Sequence, residues 1–344
     1  MLPRTAWELP ASQRPTPAVV SNPKQREHFP AIVRWVATHR VADGWQLQRR
    51  FPQCLTSYRT RNRHLAELVS LGYLARLPSR ALTPNHHVYA ATAKGIHYLQ
   101  ATMGERAADG LSISEVRDRE RTWWHLRHEL GLTEFALARE LTIQRRTDLE
   151  LVLTLRRHDY ATTKLRFNDR GEQYSLEPDD QFIFRQHTTG QLVACFVELD
   201  HGTATASRVG DKLHAYDRWA QSSPGREYLE DLFALFESNS RPNFRLLMIV
   251  RDIEGGNDER RLTHLFAESL TLPSVMRDRV WFTTVSELCQ FQYGPTPLRH
   301  PLWRRVRHTR TGVGVQGEVA LRRKLAAEQL ATLPRVPLFP HPPA

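Results

Sequence analysis

Residues 177–200, EPDDQFIFRQHTTGQLVACFVELD, decide the reading of the fold. QFIFR and LVACFVEL are rich in β-formers, and Thr189-Gly190 between them suits a two-residue hairpin turn. That turn sets Asp179 opposite Asp200, and strand alternation puts Glu198 on the same face, one pair along. Asp180 then points the other way, and a one-residue slip in register would exchange it with Asp179. Glu198 ends an almost wholly apolar run, where a carboxylate is costly unless it is paired or holds a metal. Converging carboxylate oxygens from Asp179, Glu198 and Asp200 suit Mg²⁺ or Mn²⁺, which favour oxygen ligands and keep waters for reaction. The other reading of the same residues is ion pairing with Arg185 or Arg208, with Asp211 and Lys212 on a solvated helix face.

Outward from this hairpin the periodicity alternates between helix and strand. A long amphipathic helix over residues 119–145 and the strand LELVLTLRR precede it. The helix ASRVGDKLHAYDRWA, the apolar run FRLLMIV, the helix ERRLTHLFAESL and the strand RVWFTT follow it. The run FRLLMIV reads as a central strand buried on both faces. The order α–β–β–β–α–β–α–β is that of an α/β sheet domain.

The charge points to a second module. The 344 residues carry a net charge of +11, with 40% hydrophobic and 25% charged residues, so a large core is available and wholesale disorder is excluded. Residues 1–100 hold 14 Lys/Arg against 4 Asp/Glu, and residues 301–344 hold 8 against 2, leaving the middle slightly acidic. A basic head and tail around an acidic body suit a polyanion-binding module joined to something with another task. No run approaches the ~20 apolar residues of a spanning helix, so no membrane partner is expected. Three scattered cysteines without CxxC spacing point to a reducing, cytoplasmic setting. Walker A, GxGxxG and HExxH motifs are absent, as is a tyrosine cluster with a three-histidine metal motif.

Residues 26–102 read as three helices, a β-hairpin and a closing helix. The first helix lies in HFPAIVRWVATHR, and WQLQRRF is a short second one. Thr56 or Ser57 can cap the third, which carries Leu65, Leu68, Val69 and Leu71 inward and stops at Gly72. YLARLPSR and HVYAAT flank the turn-rich ALTPNH, and Thr92 can cap the closing helix. The segment RHLAELVSLGYLARL…HVYAATAKGIHYL resembles the winged helix-turn-helix superfamily. That resemblance implies DNA contact from the start of the third helix by Tyr58, Arg59, Arg61, Asn62 and Arg63, with Arg49, Arg50, Arg76 and Arg80 placed for phosphates. His86-His87 falls in the wing, where a phosphate or solvent contact is expected rather than a metal pair.

The acidic segment resembles the PD-(D/E)xK, or restriction-endonuclease-like, superfamily, whose αβββαβ core has the order above. Pro178-Asp179 matches "PD" and Glu198-Leu199-Asp200 matches "(D/E)x", but Asp200 stands at the family's lysine position. Lys212 can supply that charge, and Lys212 with Tyr216 imitates the QxxxY helix motif of RecB-like nucleases. The layout as a whole, with RHELGLTEFAL and FVELDHGTATASRVGDKLHAYDRW, is similar to the plasmid replication-relaxation family, which includes MobC-type relaxases. The resemblance implies action on plasmid or mobile-element DNA, with Asp179, Glu198, Asp200 and Lys212 as site residues. His128 falls where that family carries a histidine on its first nuclease-domain helix; helix packing is the other reading.

The expectation is therefore an arm (1–25), a winged helix (26–102), a linker (103–118), a nuclease-like α/β domain (119–300) and a basic, Pro-rich tail (301–344). The expected activity is Mg²⁺- or Mn²⁺-dependent nicking of double-stranded DNA. The partners would be plasmid or mobile-element DNA, other replication or mobilisation proteins, and a second copy of the chain as a homodimer. The rival expectation is a non-catalytic replication or copy-control protein with a degenerate nuclease fold; a third is a component of a mobile-element integration complex.

Overall fold

The computed structural model describes residues 26–77, 87–104, 111, 123–156, 164–169, 171–236, 242–251, 258–290, 303–305, 319–332 and 335–336. The expected arm, Arg80, His86, the ALTPNH turn and most of the linker and tail lie outside the described residues. The chain divides into two compact units, Met1–Thr133 and Glu134–Ala344. Among the described residues the fold is mixed α/β, with helices and three separate sheets. Among the described residues no helix is long and apolar enough to cross a membrane.

In the first unit α1 (Phe29–His39) buries Phe29, Ile32, Val33 and Val36, the stripe its periodicity gives. The two-residue strand β1 (Ala42–Asp43) runs into α2 (Gly44–Arg50), where Asp43 and Gln46 form a capping box. Ser57 caps α3 (Tyr58–Ser70) by accepting from the Thr60 amide at 3.1 Å. Gly72, at φ +75°, then turns the chain into β2 (Leu74–Leu77), a conformation only glycine adopts without strain. β3 (Val88–Ala91) lies between β1 and β2, antiparallel to both. Thr92 caps α4 (Ala93–Met103), and a Cβ at Gly95 would lie 2.2 Å from the Tyr73 carbonyl, so only glycine fits there.

The second unit is built on a seven-stranded sheet. The long helix α5 (Trp123–Ile143), within which the two units divide, leads into β4 (Leu149–Arg156). A separate hairpin, β5 (Leu165–Asp169) and β6 (Glu172–Leu176), precedes β7 (Asp180–Gln186) and β8 (Gln191–Asp200). Then come α6 (Ala206–Gln221), α7 (Ser223–Ala234), β9 (Phe244–Val250), α8 (Asp258–Ser269), α9 (Ser274–Arg277), β10 (Val280–Thr284) and α10 (Val285–Gln290). The expected tail contributes β11 (Trp303–Arg305), α11 (Val319–Thr332) and β12 (Arg335–Val336). The sheet order is β12-β11-β10-β9-β8-β7-β4, with β8, β9 and β10 parallel and the remaining pairs antiparallel. β8 and β9 are buried almost throughout, as their unbroken apolar runs require.

Two expectations are corrected here. The strands β5, β6, β11 and β12 were not anticipated: β11 and β12 hold three and two residues, too few to show an alternation. The β7–β8 turn also differs. Gln186 pairs with Gln191 across a four-residue loop with Gly190 at φ +67°, and Asp180 pairs with Val197. The whole register is therefore shifted by two residues from the one that a Thr189-Gly190 turn gives. A shift of two preserves every side chain's face, so the sorting of carboxylates survives although their partners change.

Candidate active site and candidate nucleic-acid surface

The β7–β8 ladder ends at Asp180 opposite Val197, and Asp179, just before it, lies close enough to Glu198 for its charge to act there. The Asp179 amide donates to the Val197 carbonyl at 2.9 Å, and its Oδ2 accepts from the Leu199 amide at 2.9 Å. Both carboxylates are 5% exposed. Helix α6 covers this face. Its Tyr216 hydroxyl donates to Glu198 Oε1 at 2.6 Å, and Lys212 Nζ pairs with Oε2. Lys212 and Tyr216 are four residues apart, so one helix face presents both to the strand. Capping of α6 by Thr205 fixes where that face begins.

Burial raises the Glu198 carboxyl above its ordinary range; Lys212 opposes this and the charge of Asp179 adds to it. Tyr216, fully buried beside Glu198, is raised well above a free phenol. Two acids and a phenol thus lie buried close together, with one ammonium reaching Glu198 from a side chain still 36% exposed.

Asp200 has the same facing but a different partner. Arg261, on α8, grips it with Nε to Oδ2 at 2.6 Å and Nη2 to Oδ1 at 2.9 Å. The same Nη2 donates to the Ala204 carbonyl at 2.7 Å, tying down the loop between β8 and α6. The arginine on Asp200 is thus neither Arg185, which bonds Glu150 and the Phe236 carbonyl, nor the exposed Arg208. No sequence signal marks a partner sixty-one residues away. Among the described residues no three His, Cys, Asp or Glu side chains are grouped so that they could hold a metal ion. His128 belongs to the first unit, where it lies 3.8 Å from Glu129.

Asp180 points to the other side of the sheet, as strand alternation demands. There Arg139 of α5 donates to its Oδ2 at 2.9 Å, and both side chains are sealed from solvent.

A model of the replication-relaxation family matches residues 33–228, more than half of the chain. The chain belongs to the replication-relaxation family. No curated protein and no solved structure gives a match. The region shared with the replication-relaxation family takes in Asp179, Glu198, Lys212 and Tyr216 but stops short of Arg261.

In the first unit the expected DNA-contacting residues separate by exposure. Arg59 and Arg63 are exposed, Tyr58 is 50% exposed, and Asn62, Arg49 and Arg50 are half-buried. Arg76 is exposed and meets His87. Arg61 is the exception at 2% exposure. Its guanidinium lies 4.4 Å from the Trp45 ring centre and 4.7 Å from that of Tyr58. Its Nη1 donates to Gln48 Oε1 at 3.1 Å and its Nε to Asn62 Oδ1 at 3.2 Å. An arginine so occupied cannot fork onto a base edge.

Proposed function

We propose that this chain binds plasmid or mobile-element duplex DNA through a winged helix-turn-helix in its first unit, and nicks it at a PD-(D/E)xK-type site in its second. The observation that carries the reading is the close approach of the buried Asp179 and Glu198 at the end of β7–β8, with Lys212 and Tyr216 supplied by the helix that follows.

The donor set fits a small, hard divalent cation such as Mg²⁺ or Mn²⁺, which commonly uses one or two carboxylates and fills the remaining positions with water and phosphate oxygens. Asp179 and Glu198 would hold it, and the Glu198 carboxylate already attracts a cation in Lys212. When bound, such an ion activates water and polarises the phosphodiester. The chain's own groups do the rest. The Leu199 amide fixes Asp179, and the Tyr216 hydroxyl fixes Glu198. Lys212 reaches the site from a partly open position and can transfer its charge from Glu198 to the scissile phosphate. Asp200, held by Arg261, shapes the strand end and its loop. Arg59, Arg63, Asn62 and Tyr58, on the first turns of α3, face the duplex, with Arg49, Arg50 and Arg76 near phosphates.

A second reading is supported by the same pocket: both Glu198 oxygens already have protein partners, as an inert, degenerate site would have. Incubating supercoiled plasmid with the full chain in Mg²⁺, Mn²⁺ or EDTA separates the two. Metal-dependent open circles that vanish with Glu198→Ala support nicking. Retarded but intact supercoils in every condition support a binding protein.

A further inference from the structure

Five large apolar side chains are exposed among the described residues, and the two aromatic ones, Trp45 and Tyr58, flank a single guanidinium. Trp45 opens α2 and Tyr58 opens α3, so the stack joins the starts of the two helices. Arg61 lies over both rings, 4.4 Å from the Trp45 centre and 4.7 Å from that of Tyr58. Its bonds to Gln48 and Asn62 hold it in plane, and Gly44 lets it lie close, since a Cβ there would sit 3.2 Å from its Nε. Each ring therefore packs against a buried cation while its residue stays 43% (Trp45) or 50% (Tyr58) exposed.

We infer that Trp45 and Tyr58 form a stacking platform for unpaired nucleobases, backed by Arg61, so that the preferred ligand is DNA at a junction between duplex and single strand. The inference rests on the DNA-binding reading above and adds to it the state of the DNA. A groove offers a protein only base edges; an aromatic face is matched by a base's own face, which is exposed only where pairing is broken. The backing guanidinium holds the rings rigid and lowers the entropy lost on stacking. The surroundings suit the same ligand: Arg59 and Arg63 are exposed on α3, and the first hundred residues carry 14 basic against 4 acidic side chains. Two solvent-exposed aromatics beside these cations favour a polyanion that also has π-faces.

The experiment compares a blunt duplex with a forked DNA of the same sequence, both carrying 2-aminopurine at the first base that is unpaired in the fork. The full chain should bind the fork about tenfold more tightly at equal salt and quench its emission. Trp45→Ala should remove most of that preference and the quenching, leaving duplex affinity and its salt slope in place, and Tyr58→Ala should lower fork affinity more than duplex affinity. Trp45→Phe should retain both. Equal affinity for the two DNAs with unchanged emission overturns the platform while DNA binding stands. Loss of fork and duplex affinity in equal measure in Tyr58→Ala also overturns it. Failure of the wild-type chain to bind either DNA removes the platform together with the DNA-binding reading.

Discussion

Asp180 and Glu198 sit on the two faces of one hairpin, and each meets a basic residue from a neighbouring helix. Their surroundings differ. Asp180 and Arg139 are 0% and 1% exposed, a sealed pair. Glu198 is also buried, but its partner Lys212 is 36% exposed and Tyr216 shares the carboxylate. A sealed pair can only hold the sheet to its helix. A buried acid with a partner that can withdraw toward solvent has room for exchange. The contrast distinguishes a sealed carboxylate pair from a more accessible one on the two faces of the same hairpin.

The sealed side should show the largest effect on stability. Arg139→Met strips Asp180 of its guanidinium in a dry interior and should cost about 3–5 kcal/mol in urea unfolding. Adding Asp180→Leu should recover most of that, because an apolar pair of similar volume is tolerated where a lone charge is not. An Arg139→Met loss below about 1 kcal/mol would erase the distinction between the two faces.

The same contrast recurs inside α3, where Arg61 is buried and Arg59 exposed. Arg61→Ala should cost about 1–2 kcal/mol of stability through lost stacking and hydrogen bonds. Arg59→Ala should leave the unfolding midpoint in place and reduce the salt slope of DNA binding by about one. Interchanged results would reverse their assignment as support and contact.

On the open side Lys212→Met should cost about 1 kcal/mol or less, since water already screens much of that pair. The pH dependence gives the smallest and most diagnostic signal. Burial raises the folded-state pKa of Glu198, so the folded chain holds this proton more tightly than the unfolded chain does. Its contribution to stability is therefore fully present below the unfolded carboxylate pKa and is lost as pH rises through the folded value. Glu198→Gln has no such titration. The stability of wild type relative to this variant should fall as pH rises above the ordinary carboxylate range, read from urea midpoints across the titration. A rise over that interval would mean that Lys212 dominates burial.

The sheet was legible because its strands are apolar runs of the right length, and LVACFVEL and FRLLMIV fall within β8 and β9. The register was misread by two because Thr189-Gly190 is the end of a four-residue loop, not the whole turn. Parity kept Asp179 and Glu198 together, since a two-residue error leaves each strand's faces unchanged. Tyr216 and Lys212 were marked only by their resemblance to a QxxxY helix motif. Arg139 and Arg261, which decide what Asp180 and Asp200 do, were not. They lie forty-one and sixty-one residues from their partners, and only the tertiary fold brings them near.

The central claim, that Asp179 and Glu198 together hold one divalent ion, is tested most directly by titrating Mn²⁺ into the full chain and following the free ion by electron paramagnetic resonance. The account predicts one site that Mg²⁺ displaces, lost in both Asp179→Asn and Glu198→Gln while each variant keeps its fold by circular dichroism. A wild-type chain that takes up no Mn²⁺, or variants that bind it as the wild type does, would contradict it.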